Sequence, residues 1–125
     1  MLIDSNIIIY SAQPENPQIR EYIALHAPLV SVVSYVEVLG YHRLTETARE
    51  YFKEFFRAAE ILPISQAVVE QAVELRQTRK MTLGDAIIAG TVLVHNLVLV
   101  TRNVEDFKWI SQLQLLNPFK ASERS

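Results

Sequence analysis

Short runs of apolar residues alternate along this chain with longer stretches in which apolar residues recur every three or four positions. The short runs are too brief for helices and are bounded by polar residues or proline, so they predict β-strands. The five predicted strands are residues 1–3, 29–33, 61–64, 97–101 and 113–116.

The stretches between these runs have the periodicity of amphipathic helices. The most regular one is residues 45–60, and Ser65 and Thr82 are placed to cap helices over residues 66–80 and 83–96. Shorter helical patterns occur around residues 7–10 and 19–26 and after Ser34, and residues 102–107 are predicted as a turn. Strands that alternate with helices predict an α/β fold, with a parallel sheet covered by helices on both faces.

The composition predicts one globular domain, because half of the 125 residues are hydrophobic and only 21% are charged. We expect residues 1–120 to form that domain and residues 121–125 to be a polar tail. The net charge of −2 lacks the strongly basic character of proteins that hold long nucleic acids by charge alone.

The absence of cysteine excludes disulfides, thiol nucleophiles and cysteine-bound metal. The three histidines are too scattered for an HExxH zinc site. The first residues do not resemble a signal peptide, and polar residues interrupt the longest apolar stretch, 86–100. We therefore expect a cytoplasmic protein with no membrane association.

Carboxylates follow or closely approach the predicted strands. Asp4 ends the first strand, Glu37 follows the second, and Asp85 lies at the start of the helix before the fourth. A polar segment, residues 101–106, follows the fourth strand directly. In open α/β sheets the binding crevice lies outside the carboxyl ends of the strands, so these groups are candidate site residues.

Each carboxylate also has a purely structural interpretation. Glu37 lies three residues after Ser34 and Asp85 three after Thr82, which is the spacing of a helix capping box. Asp4 could likewise cap the helix that follows it. Capping does not, however, explain why such groups would gather at one end of one sheet.

If the carboxylates do gather, they repel one another unless a hard cation lies between them. Carboxylate oxygens suit Mg²⁺ or Mn²⁺, which can activate a water and neutralise a phosphoryl group. Phosphodiester hydrolysis is then the natural reaction. It needs no side-chain nucleophile, which agrees with the lack of cysteine and of a G-x-S-x-G motif.

Four strings occur in the order LIDSNIIIY, SVVSYVEVLG, TLGDAIIAG and LVLVTRNVEDF. Together they resemble the PIN-domain family, and in particular the VapC-type toxins of prokaryotic toxin-antitoxin pairs. The resemblance extends over essentially the whole chain. It implies a three-layer α/β/α domain with a central parallel sheet of about five short strands, and a metal-dependent endoribonuclease activity.

The resemblance also implies a set of acidic site residues. Asp4, Glu37 and Asp85 match the family positions that hold Mg²⁺ or Mn²⁺. Asn103 is a departure, because many members have an aspartate there as a fourth acid. Asn103 is still counted with Asp4, Glu37 and Asp85 as a catalytic residue, because its amide oxygen can accept a hydrogen bond or ligate a metal ion. It brings no charge, so a second metal ion does not follow from the resemblance, and Asp106 is a less well placed substitute.

Polar neighbours of these acids are implied as substrate-binding residues. Ser5 stands where many members have threonine, and with Asn6 it is expected to orient the acids or to touch the phosphate. Thr101 matches a small hydroxyl residue at the end of the fourth strand, and Arg102 is expected to steer phosphate by its charge.

The implied partners are an RNA substrate (tRNA, rRNA or mRNA), a cognate antitoxin that lies across the acidic site, and a second copy of the chain in a homodimer. The apolar positions 7–9 and 22–23 are candidates for the antitoxin groove, although most of them are expected in the core.

Two other hypotheses compete with the ribonuclease. The first is a catalytically silent PIN-like domain that acts as a protein-binding or regulatory module, and Asn103 favours it. The second is a phosphoryl-transfer domain with Asp4 as the nucleophile. This one predicts a further acid at position 6 and a lysine after a later strand, where the chain has Asn6 and Arg102.

Overall fold

The structure is a computed structural model that describes residues 1–123. Its strands are Leu2–Ile3 (β1), Val30–Ser31 (β2), Ile61–Leu62 (β3), Val98–Val100 (β4) and Gln114–Leu116 (β5). Its helices are Ser5–Ser11 (α1), Pro17–His26 (α2), Val32–Leu39 (α3), Glu46–Ala58 (α4), Gln66–Thr78 (α5), Leu83–His95 (α6), Val104–Phe107 (α7) and Pro118–Glu123 (α8).

The strands form a parallel sheet in the order β3-β2-β1-β4-β5. Hydrogen-bonded ladders join β2 to β3, β1 to β4 and β4 to β5, all in parallel. The two pieces meet at a parallel bridge between Leu2 and Leu29, where the Ile3 amide donates to the Leu29 carbonyl at 3.0 Å. All five predicted strands are therefore present, in one sheet of the predicted kind.

Two core clusters lie on opposite faces of this sheet. Ile3 and Val100 point to one face, which α1, α2 and α4 cover, whereas Leu2 and Leu99 point to the other, which α5, α6 and α7 cover. This is the two-residue alternation of a strand buried on both faces. The three-layer α/β/α fold expected from the sequence is confirmed. The candidate groove residues 22–23 pack, half-buried, against the first cluster.

Helix α6 is held close to α5. A Cβ atom at Gly90 would lie only 3.0 Å from the Val68 carbonyl oxygen, so the glycine allows the two backbones to approach. Thr82 caps α6 by accepting a hydrogen bond from the Asp85 amide at 3.1 Å, and Ser65 caps α5 in the same way. Both caps were predicted, and they fix where the first turn of α6 lies.

The start of α3 differs from the sequence prediction. Ser31 is the N-cap and accepts a hydrogen bond from the Val33 amide at 3.1 Å, so the helix begins at Val32 and Ser34 lies inside it. The predicted strand 29–33 is correspondingly shorter. The interpretation of Ser34 and Glu37 as a capping box is therefore wrong, because Glu37 lies in the second turn.

The C-terminal part contains two short helices that the periodicity did not predict. Helix α7 lies within the predicted turn 102–107, and α8 crosses the boundary predicted at residue 120. Residues 124 and 125 of the predicted tail lie outside the described residues. Within residues 1–123, no helix is both long enough and apolar enough to cross a membrane.

Two leucine substitutions test the position of the core. Leu99 on β4 is completely buried, whereas Leu25 on α2 is 79% exposed. We expect Leu99→Ala to lower the free energy of unfolding by about 2–5 kcal/mol, because it leaves a cavity under α6. Leu25→Ala should change it by less than about 0.5 kcal/mol. Urea denaturation measures both, and equal losses would contradict the assignment of β4 to the centre of the core.

Candidate active site

The first site residues are brought together by the pairing of β1 with β4. Ile3 is in register with Val100, so Asp4 and Thr101 leave the carboxyl ends of adjacent strands side by side. The Thr101 hydroxyl donates to Asp4 Oδ2 at 2.9 Å, and the Asp4 amide donates to the Val100 carbonyl at 2.9 Å. Asp4 is only 4% exposed and Thr101 is completely buried.

Asp4 is the N-cap residue of α1 by backbone geometry, but its side chain makes no cap hydrogen bond. Its carboxylate instead interacts with Thr101, across 97 positions of sequence. The side-chain partner of this carboxylate is therefore Thr101 at the end of β4, and not a capped amide of α1.

Glu37 is held by a short chain of hydroxyl groups. The Ser5 hydroxyl donates to Glu37 Oε1 at 2.7 Å and lies 2.8 Å from the Ser34 hydroxyl. A serine has one proton to donate, and an ionised carboxylate can only accept. The order is therefore fixed, with Ser34 donating to Ser5 and Ser5 donating to Glu37.

The other carboxylate oxygen of Glu37 lies over the first turn of α6. A Cβ atom built at Gly84 would be 2.5 Å from Glu37 Oε2, so a side chain at this position and the observed Glu37 conformation are mutually exclusive. Gly84 thus leaves room for the Glu37 carboxylate beside Asp85. Neither Ser34 nor Gly84 was recognised from the sequence as a site residue. The i, i+3 spacing of Ser34 and Glu37, which suggested a cap, also places both on one face of α3.

The electrostatics of the site are those of crowded carboxylates. Burial, together with the charges of Asp85 and Glu37, raises the pKa of Asp4 from 3.8 to about 6, although the hydrogen bonds from Thr101 and from the Ser5 amide oppose the shift. Burial also raises the pKa of Asp85, with further contributions from the charges of Asp106 and Glu37 against the Thr82 hydrogen bond.

Asp4, Glu37 and Asp85 therefore lie within electrostatic range of one another at this edge of the sheet, and Asp106 lies within range of Asp85. These carboxylates are still spread apart. No three acidic or histidine side chains of residues 1–123 are close enough together to bind one ion in the observed conformations. Crowded oxygen ligands with raised pKa values nevertheless have the chemistry that a hard divalent cation requires. The donor set thus fits Mg²⁺ or Mn²⁺.

The remaining predicted residues lie around this cluster. The Asn103 backbone N–H donates to the Thr101 hydroxyl at 3.0 Å, which places the backbone of this residue next to the cluster. Asn6 is half-buried in the first turn of α1. Arg102 is exposed and its guanidinium carbon lies 4.0 Å from the centre of the Phe119 ring. The structure therefore places the Asn103 backbone next to Thr101, the partner of Asp4, whereas it packs the Arg102 side chain against α8.

The family model described as PIN domain matches residues 1–111. Among solved structures, the chain is similar to a toxin-antitoxin complex from Klebsiella pneumoniae, with 28% identity, a TM-score of 0.76 and coverage of 94% of this chain and 96% of that one. Among curated proteins, no sequence matches significantly.

The chain is also similar to VapBC2 from Rickettsia felis bound to a DNA fragment from its promoter (23% identity, TM-score 0.80, 93% and 96% coverage). A third similar structure is the DNA-bound VapBC from Salmonella typhimurium (20% identity, TM-score 0.82, 94% and 96% coverage). At these identities the likeness establishes the shared fold, which agrees with the three-layer architecture.

Gly84→Ala tests the space that the glycine leaves for Glu37. We expect the protein to stay folded, with an unfolding free energy unchanged or raised by up to about 1 kcal/mol, since alanine favours a helix. The added methyl group should displace the Glu37 carboxylate, which a crystal structure of the variant would reveal. An unmoved carboxylate, or a strongly destabilised protein, would contradict this account.

The raised pKa of Asp4 predicts a pH-dependent cost to stability. Because its pKa is higher in the folded protein than in the unfolded chain, folding is most favoured below about pH 4, and the advantage is lost as the pH rises through about 6. In metal-free protein, Asp4→Asn should therefore raise the free energy of unfolding by about 3 kcal/mol near pH 7.5 and by much less near pH 4. Urea denaturation in EDTA at both pH values measures this difference. A variant less stable than wild type at neutral pH would show that the ionised carboxylate is not penalised.

Proposed function

The chain belongs to the PIN domain family, and from this premise we propose that it is a metal-dependent endoribonuclease, the toxin of a toxin-antitoxin pair. The observation that carries the proposal is the cluster of Asp4, Glu37 and Asp85 at the carboxyl edge of the sheet: Ser5, the residue after Asp4, donates to Glu37 at 2.7 Å, and Glu37 lies against Gly84, the residue before Asp85. Helix capping and core packing do not require such a cluster, whereas a cation site does.

Asp4, Glu37 and Asp85 would hold the divalent ion, with Asp106 supplying further negative charge beside Asp85. When bound, Mg²⁺ or Mn²⁺ would lower the pKa of a water and neutralise charge on the scissile phosphate. The ion pairs within residues 1–123 join Arg57 to Glu54 and Lys108 to Glu105, so none of them neutralises these three acids.

The protein's own residues orient the acids for hydrolysis. Thr101 donates to Asp4, and the pair of Ser34 and Ser5 donates to Glu37, so each carboxylate has a fixed direction before substrate arrives. One of these carboxylates would accept the proton of the attacking water. Ser5 and Thr101 therefore act as positioning residues in this proposal.

We assign Asn6 and Arg102 to contacts with the substrate. A small acidic domain has little charge with which to hold a duplex. We therefore propose that the substrate is an exposed single-stranded loop of a structured RNA, whose backbone can bend into a narrow site.

An apolar groove adjoining the cluster is our candidate surface for the antitoxin. A cavity of about 520 Å³ lies between α1, α3 and α4, and Glu37 and Tyr41 are among its lining residues. Of the residues predicted for such a surface, Ile9 lines the groove and is 40% exposed, whereas Ile7 and Ile8 are fully buried. An amphipathic helix bound here would end next to the acidic cluster and could block it.

A separate exposed apolar face is our candidate for the homodimer contact. Tyr35 and Val36 on α3 are 44% and 64% exposed, and Leu83 at the start of α6 is 59% exposed. These helices contact each other, so the three side chains can contribute to one surface that a second copy would cover.

Cleavage of a pool of structured RNAs by purified protein, free of any copurifying partner, tests the proposed reaction. We expect discrete fragments with Mg²⁺ or Mn²⁺ and none with EDTA. Asp4→Asn and Asp85→Asn should lower the rate at least about 100-fold, because each removes a ligand and a charge from the site. Glu46→Gln, on the exposed start of α4, is the matched control and should cleave like wild type.

Metal binding distinguishes the ribonuclease from the alternative, a catalytically silent binding module. Asn103 favours the silent module, because it stands where many family members have an acid. We expect Mg²⁺ or Mn²⁺ to raise the thermal midpoint of wild type and not that of Asp85→Asn. A folded protein that neither cleaves nor binds metal would support the module instead.

A further inference from the structure

A second cavity lies beside the acidic cluster, at the carboxyl ends of β4 and β5. It has a volume of about 310 Å³, and its polar lining includes Arg102, Asn103, Asp106, Asn117 and Lys120. Two of these residues connect it directly to the cluster. The Asn103 backbone N–H donates to the Thr101 hydroxyl at 3.0 Å. The charge of Asp106 contributes to the raised pKa of Asp85.

Arg102 lies beside two aromatic rings. Its guanidinium carbon lies 4.0 Å from the centre of the Phe119 ring and 5.1 Å from that of Tyr10, and the two rings contact each other edge to face at 5.2 Å. Cation-π contacts use the face of the guanidinium group, whereas its N–H donors lie in the plane. These contacts hold the guanidinium group beside Phe119 and Tyr10, and an arginine has five N–H donors with which to bind an anion.

The cationic residues Arg102 and Lys120 line this cavity together with the acidic residues Glu105 and Asp106. Within residues 1–123, neither Arg102 nor Lys120 takes part in an ion pair, and Glu105, which also lines the cavity, is paired with Lys108. Asn117 accepts a hydrogen bond from the Phe119 amide through Oδ1 at 3.0 Å. Its Nδ2 group, a donor, is thus left for a ligand.

We propose that this cavity is a phosphate subsite, which binds the backbone phosphate of single-stranded RNA next to the phosphate at the acidic cluster. The proposal rests on the proposed ribonuclease function. An RNA strand carries a charge at every nucleotide, so a strand with one phosphate at the cluster presents the next one beside it. A planar guanidinium, an ammonium and an amide donor are the groups that recognise phosphate oxygens.

Binding of fluorescein-labelled hexauridylate, measured by anisotropy in EDTA, tests this subsite. Asp85→Asn serves as the background, because it removes cleavage and one repelling charge. We expect Arg102→Gln with Lys120→Gln to weaken binding about 10-fold at low salt. The slope of log K against log salt should fall by about 0.7, as expected for one lost phosphate contact on a single strand.

Matched variants separate the subsite from loss of packing or of net charge. Arg49→Gln with Lys53→Gln removes the same charge from the exposed face of α4 and should leave both affinity and salt slope unchanged. Lys120→Gln alone does not disturb the aromatic contacts of Arg102 and should weaken binding by itself. Thermal unfolding confirms that each variant is folded.

Several results would overturn the proposal. They are an unchanged affinity and slope in the double variant, an equal effect of the α4 control, or no measurable binding by the background protein at low salt. Hexaglutamate binding that depends on Arg102 and Lys120, with hexauridylate binding unaffected, would identify a protein carboxylate site instead. Because the measurement needs neither metal nor cleavage, failure of the nuclease and failure of this subsite remain distinguishable.

Discussion

The parallel pairing of two very short strands is the constraint on which the rest of the site depends. Leu2 and Ile3 pair with Leu99 and Val100, and this register alone places Asp4 next to Thr101. One step of slip would turn each strand over and move the apolar side chains out of their core clusters. Burial of both faces of the sheet thus fixes the register of the strands, and this register fixes the position of Asp4.

The same placement has a cost, because it buries a carboxylate among others of like charge. The structure offsets part of this cost with the Thr101 hydroxyl, which donates to Asp4 and favours its ionised form. It does not remove the repulsion, since the pKa values of Asp4 and Asp85 remain raised. A core selected for stability alone would have apolar residues at these positions, so the uncompensated charge is best understood as serving the site.

Much of the fold could be predicted from local patterns. Buried strands are uninterrupted apolar runs, and Ser65 and Thr82 cap their helices because a hydroxyl residue precedes a regular helical stretch. The segment from Ser31 to Ser34 is less determinate, since two serines compete for the cap and only the backbone dihedrals of Ser31 decide between them.

The contacts that depend on distant residues could not be read from the sequence. The proximity of Glu37 to Gly84 is a matter of how α3 packs on α6, and the stacking of Arg102 requires α8, which is too short to show a period. Asp106 belongs with the acids because α7 turns it back towards Asp85.

The strand order β3-β2-β1-β4-β5 also has a consequence for the timing of assembly. Asp4, Glu37 and Asp85 all precede β4 in the chain, yet Thr101 holds the first of them and follows that strand. During synthesis from the N-terminus, these three acids are therefore made before the strand that places Asp4 beside Thr101. Bringing Asp4 and Thr101 together across 97 positions of sequence has a high cost in chain entropy, which is typical of late events in folding. An incomplete nascent chain would thus carry the reactive groups without the geometry to use them.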